Sequence, residues 1–67
     1  SELDVPDEWD DDDAWEEALR DAFEEADIPR SKATLTTKTI DGRDYYYFQW
    51  REGESVTSQY VAPVNPS

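Results

Sequence analysis

Tyr45 and Tyr47, bracketed by Arg43 and Arg51, are the side chains of this sequence best suited to contact chemistry. They sit in an aromatic-rich run, Tyr45-Tyr46-Tyr47-Phe48-Gln49-Trp50. Aromatic rings stack on nucleic-acid bases and guanidinium groups pair with phosphates, while the same residue types anchor protein interfaces. Covalent and acid–base chemistry is poorly supplied. The 67 residues contain no Cys, His or Met, which excludes a thiol nucleophile, a Ser-His pair, the usual zinc ligand sets and any disulfide. Carboxylates are abundant, but acid–base work needs one of them raised in pKa by burial, and the acids of the helix described below fall on its polar side. Asp44 beside Tyr45 has no oxyanion donor set around it. Gly42 and Gly53, the two glycines, do not form a phosphate-cradling loop. The run Asp10 to Asp13 lacks the alternate ligands, central Gly and distal Glu of a calcium loop. No catalytic residue, metal site or cofactor is expected, and no small-molecule substrate is evident.

Those contact residues must be positioned by a small set of elements, because so short a chain closes at most one core. Trp15, Ala18, Leu19, Ala22, Phe23 and Ala26 recur at spacings of three and four, which predicts an amphipathic helix. Asp13 with Glu16 reads as its reciprocal cap, and Pro29 ends it near Asp27. Residues 33–40, 44–51 and 54–62 are rich in Thr, Tyr, Phe, Trp and Val and read as strands. Asp41-Gly42 marks a first hairpin, and Arg51-Glu52-Gly53 a second with a three-residue loop. Pro63 and Pro66 end the sheet. The expected fold is α+β, with one N-terminal amphipathic helix packed on a three-stranded antiparallel β-meander (αβββ). Residues 13–64 form the single domain, residues 1–12 an acidic, largely disordered leader in which Trp9 alone is suited to docking, and residues 65–67 a tail.

Alternation assigns the faces. Tyr46, Phe48 and Trp50 turn toward the helix, leaving Tyr45, Tyr47 and Gln49 on the other side. A three-residue second loop sets Phe48 opposite Val56 and puts Ser58 and Tyr60 on the apolar side. A two-residue first loop adds Leu35 to it. Thr34, Thr36, Gln59 and Val61 are then expected near Tyr45 and Tyr47.

Charge is divided unevenly. Of 18 acids against 6 bases, the first 28 residues hold fourteen and one, and the remaining residues carry a net of +1 within a total of -12. Such a block is a solvated face, a surface for a basic partner, or an adaptation to multimolar salt, where carboxylates hold water and screening hides their repulsion. Lys occurs only at Lys32 and Lys38, in keeping with a halophilic source. No segment is long and apolar enough to span a membrane, and no secretory signal pattern begins the chain; a cytoplasmic setting is expected.

The stretch Lys38-Thr39-Ile40-Asp41-Gly42-Arg43-Asp44-Tyr45-Tyr46-Tyr47, followed by Trp50-Arg51-Glu52-Gly53 and Val56-Thr57-Ser58-Gln59-Tyr60, resembles small uncharacterised prokaryotic domains. These carry an aromatic triplet, an Arg-Glu-Gly turn and then Val-x-Ser-x-Tyr. The resemblance covers roughly the last 35 residues and implies no established activity. Members often have Lys or Arg around the final strand, suited to nucleic acid, whereas this chain has Glu54, Ser55 and Thr57 there. With its Asp-rich composition it looks like a haloarchaeal version.

The functional expectation is a small non-enzymatic binding module with Tyr45, Tyr47, Arg43 and Arg51 as contacts. A protein partner or a second copy is expected on that surface. The alternative is a nucleic-acid-binding domain using the same aromatic and basic face, with Arg30, Lys32 and Lys38 as further cations and the net charge opposing it.

Overall fold

Helix α1 (Asp12–Ala26) begins where Asp11, in extended geometry, turns its carboxylate back over the first turn: Oδ1 accepts from the amides of Asp13 at 2.9 Å and Ala14 at 3.1 Å. The cap is therefore Asp11 and not the expected Asp13. A run of four Asp offers several capping oxygens, and the earlier one lengthens the helix while keeping Asp12 and Asp13 at the positive end of its dipole. Asp11→Ala should accordingly cost about 1 kcal/mol in urea unfolding. Asp13→Ala, which loses only a first-turn charge, should cost about half of that or less; equal losses would return the cap to Asp13. At the other end Asp27 adopts left-handed geometry (φ 57°, ψ 47°) and donates its amide to the Phe23 carbonyl at 2.8 Å, ahead of Pro29.

The computed structural model describes residues 5–66. After α1 and a short 3-10 turn (Arg30–Lys32) come β1 (Thr34–Ile40), β2 (Arg43–Glu52) and β3 (Ser55–Pro63), antiparallel in the order β1-β2-β3. This is the αβββ arrangement expected from the sequence. Asp41 (φ 54°) and Gly42 (φ 80°) form the two-residue first loop, with Ile40 paired to Arg43.

The second loop differs from expectation. Glu52 pairs with Ser55, so only Gly53 and Glu54 turn the chain, with Gly53 at φ 61°. The turn is one residue shorter and also lies further along the chain, at residues 53–54 in place of 51–53, so the pairing shifts by three residues, an odd number that moves each β3 side chain to the opposite face. Phe48 consequently faces Gln59 instead of Val56, and Val56 lies opposite Arg51, 56% exposed. Ser58 and Tyr60 leave the apolar side, where they were expected, and Gln59 and Val61 leave the open side. A bulge then corrects the register: Tyr47 pairs with Tyr60 but Tyr46 with Ala62, so Val61 is inserted and both Val61 and Ala62 are buried.

The core lies between α1 and one sheet face. Trp15, Leu19 and Phe48 are fully buried, Phe23 stacks on Phe48 with centroids 4.1 Å apart, and Trp15 meets Tyr46 edge-on at 5.2 Å. The Trp50 indole is buried and donates to Glu52 Oε1 at 3.1 Å, so its polar atom is satisfied.

The described part of the leader is folded back on this core. Trp9 sits edge-on to Trp15 at 5.1 Å and donates its indole N–H to the Pro63 carbonyl at 3.2 Å, while its amide closes a turn onto the Pro6 carbonyl. Val5 also packs there. Within the leader of residues 1–12, which the sequence marks as acidic and largely disordered, Trp9 is the ring suited to docking, and its contacts with Trp15 and Pro63 are that docking. Residues 1–4 of that leader, and Ser67 of the tail, lie outside the described residues.

Candidate functional site: the open face of the sheet

The period of two that sends Tyr46, Phe48 and Trp50 under α1 leaves Arg43, Tyr45, Tyr47, Gln49 and Arg51 on the uncovered side of β2. The register brings the neighbours alongside. On β1, Lys38 lies opposite Tyr45 and Thr36 opposite Tyr47; on β3, Tyr60 lies opposite Tyr47, Ser58 opposite Gln49 and Val56 opposite Arg51. The four residues singled out in the sequence, Arg43, Tyr45, Tyr47 and Arg51, thus share one face. Tyr60 joins them because the second loop is short, which composition alone does not reveal.

The three tyrosines touch. The Tyr60 ring is 6.0 Å from that of Tyr45 and 5.7 Å from that of Tyr47, inclined at 56° and 81°. Tyr45 and Tyr47 are half-buried by their neighbours and Tyr60 remains 45% exposed. Partial burial, and then the proximity of the Tyr45 and Tyr47 phenols, raise the Tyr60 hydroxyl above its usual pKa of 10.0. Tyr60 is therefore a neutral hydrogen-bonding group at any physiological pH. Lys38 reaches across β2: its ammonium lies 4.5 Å from the Tyr47 ring centroid and donates to Ser58 Oγ at 2.8 Å.

The electrostatics of this face are opposite to those of the chain. Lys38, Arg43 and Arg51 stand on it, and among the described residues Arg43 and Arg51 have no ion-pair partner. The two acids within the strands fall on the helix side. Asp44 Oδ1 accepts from the Thr39 hydroxyl at 2.6 Å, and Glu52 holds the Trp50 indole. No carboxylate of β1, β2 or β3 projects from the open face. The exposed acids Glu17, Asp21, Glu24 and Glu25 lie on α1, across the core.

At the first-hairpin end the face runs into an open groove of about 430 Å³, lined by Gly42, Arg43, Tyr45, Pro63 and the residues that follow them, Asp44, Val64 and Asn65. Arg43 and Tyr45 belong to both surfaces. Chemically the ensemble can stack, donate hydrogen bonds and neutralise negative charge. Asp44 is the single carboxylate among the residues lining the groove, and its Oδ1 accepts from the Thr39 hydroxyl.

Residues 13–67, which include α1 from its second residue and the whole sheet, match the model of a family described as a domain of unknown function (DUF6788). No curated protein and no solved structure matches the chain.

Proposed function

Because the chain belongs to the DUF6788 family of domains of unknown function, its role must be argued from its own surface, and we propose that it is a small non-enzymatic binding module that takes an anionic partner on the open face of the sheet. The observation that carries this reading is the exclusion of carboxylates from that face in a chain with 18 of them. Solvent adaptation alone would coat every exposed surface with acid. A face kept free of acid and supplied with Lys38, Arg43 and Arg51 fits one that becomes covered by negative charge, where a carboxylate would repel and be desolvated at a cost. Tyr45, Tyr47 and Tyr60 supply rigid contact area at its centre. The acidic helix side, by contrast, fits salt adaptation in a cytoplasmic, halophilic setting of haloarchaeal type.

Retention on immobilised heparin tests the reading, because a protein of net charge -12 has no reason other than a local basic face to be held by a polyanion. The folded chain in about 0.1 M KCl, where the Debye length is still ~10 Å, should be retarded and should elute as salt rises. Arg43→Glu/Arg51→Glu should pass unretained with an unchanged circular dichroism spectrum. Passage of the unaltered protein in the void volume would remove the proposal.

A further inference from the structure

We propose that the anionic partner is single-stranded nucleic acid, its bases laid on Tyr45, Tyr47 and Tyr60 and its phosphates met by Arg43, Arg51 and Lys38. This rests on the binding-face reading above and adds the partner class. Three features of the face favour it over the other polyanions a cell contains.

The first is the arrangement of rings and cations along the sheet. Arg43 and Arg51 are eight residues apart on the same side of β2, about 26 Å at ~3.3 Å per residue, and the tyrosines lie between them. A flexible strand lying along β2 can place a phosphate at each guanidinium and bases on the rings between. The second is the composition of the centre. The apolar Ile40 and Val56 stand opposite Arg43 and Arg51, at the two ends of the face, so the middle is tyrosine with Thr36, Gln49 and Ser58. Rings with polar neighbours and no aliphatic centre suit stacking and hydrogen bonding to bases. The core of a protein interface is more apolar than this. The third is shape. A duplex keeps its bases stacked inside, and its major groove admits a helix or a two-stranded ribbon; a three-stranded face offers neither, and its rings would find nothing to stack on. The exposed carboxylates of α1 lie on the other side of the core from this face, and added salt screens their repulsion of a polyanion as it screens the attraction of the cations.

Fluorescence anisotropy with labelled 12-mer oligothymidylate and oligouridylate, and with a 12-base-pair duplex, in 0.1 to 0.5 M KCl tests the assignment. Circular dichroism at each salt verifies the fold. Saturable binding of the single strands, at least tenfold tighter than of the duplex, is the expected result. Three phosphate contacts at about -0.7 each give a slope of roughly -2 for log affinity against log salt, and Arg43→Gln should reduce it by about one contact. Tyr47→Leu/Tyr60→Leu should weaken binding about tenfold or more, whereas Tyr47→Phe/Tyr60→Phe, which keeps the rings, should bind within a few-fold of the unaltered chain. The assignment is overturned if the leucine variant binds as well as the phenylalanine variant, or if duplex and single strand bind alike. Heparin retention without oligonucleotide binding would overturn the nucleic-acid assignment alone and leave an acidic protein as partner. In that case sedimentation equilibrium distinguishes a second copy, whose α1 acids would meet this face and whose dimer Arg43→Glu/Arg51→Glu would dissolve. Loss of both activities removes the binding face itself.

Discussion

Trp15→Ala should lower the urea midpoint more than any substitution on the open face of the sheet. The indole is fully buried and joins three parts of the molecule: the Trp9 ring of the leader at 5.1 Å, the Tyr46 ring of β2 at 5.2 Å and the helix that carries it. Removing a buried Trp costs about 3–5 kcal/mol, since the lost transfer energy is joined by the cost of a cavity that neighbours only partly fill. A chain of 67 residues has little to spare. At roughly 0.05–0.15 kcal/mol per residue its whole stability is about 3–10 kcal/mol. The substitution also removes the ring against which Trp9 docks, so the leader should detach. Near-ultraviolet circular dichroism and urea unfolding read both effects. Tyr45→Ser/Tyr47→Ser/Tyr60→Ser on the other face should keep a cooperative transition, because those rings bear on one another and not on the helix. A Trp15→Ala variant with an unaltered urea midpoint would show that α1 is not held to the sheet by this residue.

Melting temperature should rise by about 5–15 °C between dilute buffer and about 2 M KCl. On α1, Asp12 and Glu16, Asp13 and Glu17, Glu17 and Asp21, and Asp21 and Glu25 are four residues apart with the same sign, and each such pair costs about 0.2–0.5 kcal/mol at low ionic strength. Arg20 between Glu16 and Glu24 offsets part of this. Burial first, and then Glu8 and Asp7 of the leader, raise the Tyr46 hydroxyl above 10.0, so it stays uncharged at neutral pH and takes no part in this repulsion. Salt shortens the reach of these repulsions from tens of ångströms to about 3 Å. A recovered 1–2 kcal/mol corresponds to a shift of this size at ~4–8 °C per kcal/mol for so small a domain. Glu17→Lys/Asp21→Lys should raise the low-salt melting temperature and flatten the salt curve. That variant separates charge screening from the general strengthening of apolar burial by salt. A flat curve for the unaltered chain would mean that the helix acids are too well solvated to repel.

The two hairpins show how far local signals reach. Asp41-Gly42 can take positive φ at both positions, so its two-residue loop follows from residue type. Gly53 announces a second turn equally well, but a left-handed Gly serves loops of two or of three residues, and the period of two converts that one-residue ambiguity into an exchange of faces. Tyr60 and Val61 were misplaced for this reason. The capping Asp differs from expectation for a similar reason, since Asp10 to Asp13 present equivalent carboxylates, and Asp11 is the one whose Oδ1 accepts from the amides of Asp13 and Ala14. Trp9 itself belongs to no periodic pattern, and its partners are Trp15 and the carbonyl of Pro63, the latter 54 residues away.

Residue order alone determined the helix stripe, the three strands, the first turn and the division of β2 into a buried side and an open side carrying Arg43, Tyr45, Tyr47 and Arg51. Each of these follows from a repeat of two or of three to four residues, and such repeats are local. Tertiary structure decided the loop length at Gly53, the bulge that buries Val61 beside Ala62, the docking of Trp9 and the arrival of Tyr60 beside the other tyrosines. These depend on which register buries the most apolar surface across strands far apart in sequence, a comparison of whole-molecule energies that no short window contains.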